Sequence, residues 1–244
     1  MILKGGTFKF FKIILKRVNE RNKMTIEAVI FDLDDLMIDS ERFHFDALKR
    51  LMKKYGKSTP EEWFAPMIGL DNYECAEFVI KNAQLPLPVD AYLDQMIENL
   101  IELLPQMINP NPGLFELIDM LTGSGISLGV ASNSFKKYVT LALESLGVID
   151  SFACVITAED VEQGKPAPDI YLLAAQCLET EPERCLALED SPVGMIAALS
   201  AGMSCAVIPN QYIKGANFSD ATYVFPSLVE LTQAIPEILS QNQQ

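Results

Sequence analysis

Histidine is almost absent from this chain, since His44 is the only one among 244 residues. Metal centres built from several imidazoles need at least two histidines and are therefore excluded. The five cysteines are an odd number, and no two of them have Cys-x-x-Cys spacing. Most of them lie inside apolar runs, so we expect buried free thiols and a reducing, cytoplasmic location.

Long hydrophobic runs and basic residues are also scarce. No apolar run approaches the roughly 20 residues needed to span a bilayer, although 49% of the residues are hydrophobic. The sequence therefore predicts a soluble globular protein whose core has no membrane partner. Lys and Arg number 19 against 33 Asp and Glu, which gives a net charge of −14. Such a charge argues against nucleic acid as a partner.

Residues 1–23 differ from the rest, because they contain seven of the nineteen basic residues and one acid, Glu20. Phenylalanine, isoleucine and leucine alternate with lysine there, as in a basic membrane-surface or targeting segment. The alternative, which we favour, is an extension upstream of a start at Met24, directly before the first strand. A secretory signal is excluded because no small-residue cleavage site follows the apolar part.

The rest of the chain alternates between strand and helix, with one interruption. Predicted strands cover residues 28–31, 126–132, 153–157, 185–189, 203–208 and 223–225. Residues 42–108 instead show only helical periodicity, and we expect the last helix there to stop at Pro105. The pattern predicts an α/β core, residues 24–41 and 109–244, with a doubly wound, mostly parallel sheet. The helical block is an all-helical insertion between the first two strands.

Chemistry-bearing residues follow the predicted strands. Asp32, Asp34 and Asp35 come directly after the buried strand at 28–31. Buried carboxylates are costly without cations, so this cluster indicates a site for a hard cation. The other residues that follow strands or adjoin them are Ser132, Lys165, Glu189 and Asp190. Ligands of such sheets bind beyond the carboxyl ends of the strands, so these residues form a set suited to handling phosphoryl groups.

These segments resemble the haloacid dehalogenase-like hydrolase superfamily, in its phosphoglucomutase-like and phosphatase branch. The first family motif, Asp-x-Asp-Gly-(Val/Leu)-x-x-Asp-(Ser/Thr)-Glu, is similar to residues 32–41, and the resemblance covers about residues 26–232. One departure is Asp35, which stands where the family usually has glycine. The resemblance implies a Rossmann-like core, and it implies that residues 42–108 form a helical cap domain that closes over the active site.

The resemblance also implies roles. Asp32 would be the nucleophile that forms an aspartyl-phosphate, and Asp34 the general acid and base, with its pKa raised by nearby negative charge. The second aspartate weakens a dehalogenase interpretation. Mg²⁺ would be held by Asp32, the Asp34 carbonyl and Asp190, while Glu189 is either a further ligand or orients the metal's waters. The phosphoryl oxygens would be held by Ser132 and Lys165, with Asn133 and Ser134 as added donors.

Two residues carry open interpretations. His44 matches a position where some family mutases have a histidine in the hinge, but a packed or surface histidine is the alternative that we favour. Asp35 tolerates a positive φ better than most residues, so the cost of replacing glycine is modest. Its charge would weaken phosphate binding, and replacing Asp35 with glycine is then expected to raise turnover.

The function favoured by these residues is a Mg²⁺-dependent phosphatase acting on a small phosphomonoester, such as a sugar phosphate. A β-phosphoglucomutase-like mutase is the first alternative. The cap segment 67–72 has Asn72 where those mutases have an arginine for the distal phosphate, which argues against a bisphosphate intermediate. Further alternatives are a catalytically impaired binding protein and a receiver-like signalling module. The expected partner is a small phosphorylated metabolite, and the expected state is a monomer.

Overall fold

The computed structural model describes residues 25–67, 70, 72–210, 212–213 and 215–240. The interpretations made for residues 1–23 and for Ile68, Gly69 and Asp71 lie outside these ranges. Six strands form one parallel sheet in the order β3-β2-β1-β4-β5-β6. They are β1 (Ala28–Phe31), β2 (Ser127–Ser132), β3 (Cys154–Thr157), β4 (Cys185–Glu189), β5 (Ser204–Val207) and β6 (Tyr223–Val224).

Helices connect these strands and form the predicted insertion. In the described part of the chain they are α1 (Glu41–Lys54), α2 (Phe64–Met67), α3 (Asn72–Ala83), α4 (Val89–Met107), α5 (Leu114–Gly123), α6 (Lys136–Leu146), α7 (Asp169–Cys177), α8 (Pro192–Ser200) and α9 (Leu228–Ser240). Short 3₁₀ turns cover Glu61–Trp63, Ile149–Ser151, Ala158–Asp160 and Pro182–Arg184.

The central strand β1 explains why the sheet is covered on both faces. Its four side chains are fully buried, and alternate residues point to opposite faces of a strand. Val29 and Phe31 belong to the apolar cluster on one face, and Ala28 and Ile30 to the cluster on the other. A continuous apolar run of this kind is typical of a parallel strand between two helical layers. The predicted α/β fold is confirmed.

The strand order places the functional residues. Strand β1 pairs with β2 on one side and with β4 on the other. Strands β2 and β3 lie on one side of β1, and β4, β5 and β6 lie on the other side. Because the strand order reverses direction at β1, a crevice opens beyond the carboxyl ends of β1, β2 and β4. Asp32, Ser132 and Asp190 all lie at this edge of the sheet.

Residues 41–107 form helices α1 to α4, as the periodicity predicts, and they have an apolar cluster of their own. The two connections to the sheet run side by side, since the Asp39 amide donates to the Asn109 carbonyl at 3.2 Å. The prediction that the last helix stops at Pro105 was wrong, because α4 continues to Met107 with Pro105 inside it. Proline lacks the donor that would bond the Ile101 carbonyl, and the helix ends two residues later. The cap-domain assignment of residues 42–108 stays a prediction.

None of the five cysteines forms a disulfide; three are buried, Cys75 is half-buried and Cys177 is exposed. Among the described residues, no helix has both the length and the apolar character needed to cross a bilayer.

Candidate active site

A buried lysine is the centre of the site. The Lys165 Nζ donates to Asp32 Oδ1 at 2.6 Å and to Glu189 Oε1 at 2.6 Å. Asp32 directly follows β1 and Glu189 ends β4, so adjacent strands present the two carboxylates to one amine. All three side chains are buried, and Tyr171 on α7 also donates to Glu189 Oε1 at 2.6 Å. The structure therefore brings three of the predicted site residues into direct contact.

The charges in this cluster do not balance. Burial acts to lower the pKa of Lys165, but the charges of Asp32 and Glu189 outweigh it and raise that pKa. Burial also raises the pKa of Asp32 well above its ordinary value, although Lys165 opposes the change. The pKa of Asp190 is raised as well, first by burial and then by Asp32 and Glu189. Negative charge is thus in excess around a single lysine.

Glu189 is held by protein groups on both of its oxygens. Its Oε2 accepts from the Asp190 amide at 3.2 Å and from the Ser191 hydroxyl at 3.3 Å. Gly194, in the first turn of α8, leaves the necessary space, because a Cβ there would lie 1.9 Å from the Glu189 carboxylate. The Ser191 hydroxyl also caps α8 by accepting from the Gly194 amide at 3.1 Å. These contacts orient Glu189 toward Lys165, and its predicted role as a metal ligand or as an orienter of the metal's waters stays a prediction.

Asp34 lies in a different environment from Asp32. The Ser134 hydroxyl donates to Asp34 Oδ2 at 2.6 Å, and the Tyr138 hydroxyl donates to Asp34 Oδ1 at 2.9 Å. Burial acts to raise the pKa of Asp34, but His44, Ser134 and Tyr138 outweigh it and lower that pKa to about 2. The prediction that neighbouring negative charge raises the pKa of Asp34 was therefore wrong. Hydrogen bonds to the carboxylate decide the direction of the shift.

His44 and Tyr138 complete the surroundings of Asp34. The His44 Nε2 lies 3.5 Å from Asp34 Oδ1 and 3.2 Å from the Tyr138 hydroxyl oxygen. Burial acts to lower the pKa of His44, but its contact with Asp34 outweighs this and raises the pKa. His44 thus faces the site from α1. A role of Tyr138 in the site was not predicted from the sequence, because its position on α6 fits an ordinary core residue.

Ser132 and Asn133, at the end of β2, are brought to the same place. Ser132 is 1% exposed, and its hydroxyl accepts from the Ser134 amide at 3.0 Å. The Asn133 side chain accepts from the Lys165 amide at 2.9 Å and donates to the Lys165 carbonyl at 3.0 Å. Asn133 therefore fixes the backbone that carries Lys165. The phosphate-binding roles of Ser132 and Asn133 stay predictions.

Asp35 has the backbone conformation expected of the family glycine, with a φ of 57°. Its carboxylate accepts from the amide of Ser40, which precedes α1, at 2.9 Å and from the amide of Glu41, the first residue of α1, at 3.1 Å. Asn210 donates to this carboxylate and also to Asp190 at 3.1 Å. Asp35 thus connects the start of α1 with the carboxylates beyond β4. The sequence did not predict the contribution of Asn210.

These contacts refine the expectation for Asp35. We expect Asp35→Asn to raise kcat/KM for a phosphate ester about fivefold, because it removes a charge of the same sign as the substrate while keeping an oxygen for the α1 amides. Asp35→Gly removes the charge and these hydrogen bonds together, so we expect a smaller gain. Steady-state kinetics would measure both variants, with exposed Asp119→Asn on α5 as the control. If Asp35→Gly were faster than Asp35→Asn, the hydrogen bonds to the α1 amides would not contribute to activity. Unchanged kinetics in both variants would show that the charge of Asp35 has no effect.

The oxygen donors present fit a hard divalent cation. Asp32 and Asp190 are buried and rich in negative charge, and the backbone carbonyl of Asp34 follows on the same loop. Within the described ranges, no group of three His, Cys, Asp or Glu side chains could hold a metal by itself. The predicted set has only two carboxylates and one backbone carbonyl, with water and a phosphate oxygen completing the coordination, and it stays a prediction.

The site opens into a cavity of about 600 Å³ between the sheet edge and the helical insertion. Asp32, Asp34, Ser132, Lys165 and Asp190 all line it. From the opposite side, Asn72 on α3 donates to the Asn133 carbonyl at 3.4 Å. The residues predicted from four separate segments therefore line one cavity, where a phosphate ester could meet all of them.

A family model described as haloacid dehalogenase-like hydrolase matches residues 29–208, which include all of these segments. The chain belongs to the haloacid dehalogenase-like hydrolase family. YhcW of Bacillus subtilis, named provisionally as a phosphatase, is 32% identical over 86% of this chain and 96% of its own length. The phosphorylated carbohydrates phosphatase of Thermotoga maritima is 28% identical over 73% of this chain and 82% of its own length.

Solved structures of this family have the same fold. The crystal structure of CbbY from Rhodobacter sphaeroides in complex with phosphate has a TM-score of 0.78 and 29% identity, covering 84% of this chain and 96% of that one. The predicted family and the predicted enzyme class, a HAD-like phosphohydrolase, are confirmed. Phosphatases of this family generally use a divalent metal ion.

Proposed function

We propose that this enzyme is a Mg²⁺-dependent phosphatase that hydrolyses a small phosphomonoester through an aspartyl-phosphate on Asp32. The observation that carries the proposal is the Lys165 amine held between Asp32 and Glu189, beside Asp190 and Ser132. A small phosphorylated metabolite as the substrate is supported by the phosphatase relatives. A monomeric state and a cytoplasmic location stay predictions.

In the first half of the proposed reaction, an oxygen of Asp32 forms a bond to phosphorus while the bond to the ester oxygen breaks. Lys165 offsets the charge that develops on the phosphoryl oxygens, and Ser132 donates to one of them. Mg²⁺, held by Asp32, Asp190 and the Asp34 carbonyl, would screen the repulsion between the carboxylate and the phosphate dianion. Glu189 and Asn133 keep the Lys165 side chain and backbone in place.

The leaving oxygen needs a proton, and Asp34 with His44 can supply it. The lowered pKa of Asp34 and the raised pKa of His44 favour placing this proton on His44, next to Asp34. We propose that this proton passes through Asp34 to the leaving oxygen, which departs as an alcohol. In the second half, water attacks phosphorus, its proton returns to Asp34, and phosphate leaves from Asp32.

A mutase is the second candidate, and one observation favours it. His44 contacts Asp34, as the hinge histidine of some mutases would, and a structure of a β-phosphoglucomutase-like protein from Thermotoga maritima has a TM-score of 0.73 at 25% identity. Against it, Asn72 occupies the place of the phosphate-binding arginine and contacts the Asn133 carbonyl. Water is therefore the acceptor that we propose.

The test is the release of inorganic phosphate from a panel of sugar and nucleotide monophosphates with Mg²⁺. We expect multiple turnovers, and we expect a chelator to lower the rate by at least about 100-fold until Mg²⁺ is restored. A receiver-like module would take up phosphoryl groups without turnover, and an impaired binding protein would show neither. Conversion of glucose 1-phosphate to glucose 6-phosphate without phosphate release would contradict the hydrolase and support the mutase.

A further inference from the structure

The cavity extends beyond the phosphoryl site into an apolar recess between helices α1 and α4. Phe45 and Leu48 line it from α1, and Leu93, Met96 and Leu100 line it from α4. These spacings of three and four residues place each set on one face of its helix. We call these five side chains the apolar recess. It lines the same cavity as Asp32.

The charges around the cavity have one sign apart from Lys165 and His44. Lys165 is the one lysine or arginine among the described lining residues, and it is already bound to Asp32 and Glu189. Glu41 and Glu74 line the cavity from the helical insertion, in addition to the aspartates of the sheet edge. A second phosphate or a carboxylate on the leaving group would meet neutral and acidic side chains there, and no unpaired lysine or arginine among the described lining residues. Burial of an unpaired charge in such surroundings is unfavourable.

We infer that the apolar recess selects a monophosphate ester whose leaving group carries no second anion and presents an apolar surface. This inference rests on the proposed hydrolysis and names the substrate class within it. The contrast is CbbY from Rhodobacter sphaeroides, 28% identical, whose crystal structure contains xylulose-(1,5)bisphosphate. A pocket gains affinity from the apolar part of its ligand and rejects groups that it cannot pair.

The experiment compares two esters that differ by one charge: n-hexyl phosphate and 6-(phosphonooxy)hexanoate. With the Mg²⁺-loaded enzyme, we expect kcat/KM for hexyl phosphate to be at least about tenfold higher, because the carboxylate must be desolvated without a partner. A ratio of one, or a preference for the carboxylate, would overturn the inference while leaving the proposed hydrolysis intact.

A variant tests whether the apolar recess causes the preference. Met96→Lys adds a cation at a half-buried recess position, and its long side chain can reach the cavity. We expect Met96→Lys to reduce the ratio of kcat/KM for hexyl phosphate to kcat/KM for the carboxylate ester at least about fivefold, or to reverse the preference. Leu70→Lys, at a 37% exposed lining position, serves if Met96→Lys does not fold. Leu172→Lys, on the exposed side of α7 and outside the cavity lining, is the matched control and should leave the ratio unchanged.

Binding measurements separate this inference from the proposed hydrolysis. If neither ester releases phosphate, the sugar and nucleotide panel decides the proposed hydrolysis, and isothermal titration calorimetry with the same two esters tests the recess alone. Tighter binding of hexyl phosphate would still support the inference. Equal or weaker binding of hexyl phosphate would overturn it.

Discussion

Replacing Asp32 with asparagine is expected to lower kcat for phosphate esters by at least about 1000-fold, because an amide oxygen does not form the covalent intermediate. The change also removes one of the two carboxylates proposed to hold Mg²⁺. Asparagine keeps nearly the same shape and can still accept the hydrogen bond from Lys165. The loss should therefore appear as chemistry, not as misfolding.

The same variant should be more stable than the parent when metal is removed. Burial raises the pKa of Asp32 above its ordinary value near 4, so the ionised carboxylate costs stability at neutral pH. The stability cost of the Asp32 carboxylate is therefore absent below the ordinary pKa of aspartate and appears as the pH rises above that value. We expect the midpoint temperature of unfolding to rise for Asp32→Asn at pH 7, and the difference to vanish near pH 3.

Measured together, kcat and thermal unfolding in a chelator distinguish the nucleophile from a structural aspartate. The control is Asp119→Asn on the exposed side of α5, which should change neither quantity. Hydrolysis by folded, Mg²⁺-loaded Asp32→Asn at the parent's rate would remove Asp32 as the nucleophile. A lower unfolding temperature would contradict the charge excess inferred around Lys165.

The fold was predictable because its signals are local. Strand β4 was predicted at residues 185–189 and lies at Cys185–Glu189, since a short apolar run ends there in two acids and a helix start. Strand β1 also has its predicted bounds, and the ends of the other strands differ from the predicted ones by at most one residue, as is usual at fraying ends. Asp32, Ser132 and Asp190 converge because parallel strands end at one edge of the sheet. Lys165 lies in the loop between the Ala158–Asp160 turn and α7, so the strand order alone does not place it.

The surroundings of those residues were not predictable, because they come from contacts between distant segments. Tyr138 reaches Asp34 across 104 positions and Asn210 reaches Asp35 across 175. Helical periodicity marks Tyr138 only as a core residue, and nothing in one sequence tells which carboxylate its hydroxyl meets. The pKa of Asp34 depends on those contacts, which is why its predicted direction was wrong. Asp35 shows the same effect, since its contacts with α1 are visible only in the folded chain.

Lys165→Met is expected to be the most destabilising of these changes. Methionine fills a similar volume but leaves Asp32 and Glu189 buried beside each other without a cation. Removal of one partner of a buried ion pair costs about 3–5 kcal/mol of unfolding free energy. We also expect kcat to fall at least about 100-fold, because the charge that stabilises the phosphoryl oxygens is lost. Urea unfolding in a chelator and steady-state kinetics measure the two effects.

A second substitution separates the charge imbalance from the catalytic loss. Lys165→Met with Glu189→Gln removes one uncompensated carboxylate and keeps an acceptor for the Tyr171 hydroxyl. We expect this double variant to recover part of the lost stability and none of the activity. Lys136→Met is the control, because its ion pair with Asp160 lies at the surface, with 55% of the Lys136 side chain exposed, and should contribute under about 1 kcal/mol.

The deficit of Lys165→Met should also depend on pH. An unpaired, buried Asp32 has a raised pKa, so the destabilisation is present at neutral pH and shrinks as pH falls toward the ordinary value near 4. Lys165 itself does not titrate over this range, because Asp32 and Glu189 outweigh burial and raise its pKa. A deficit that stayed constant from pH 8 to pH 5 would point to lost packing and would argue against the buried charges as the cause.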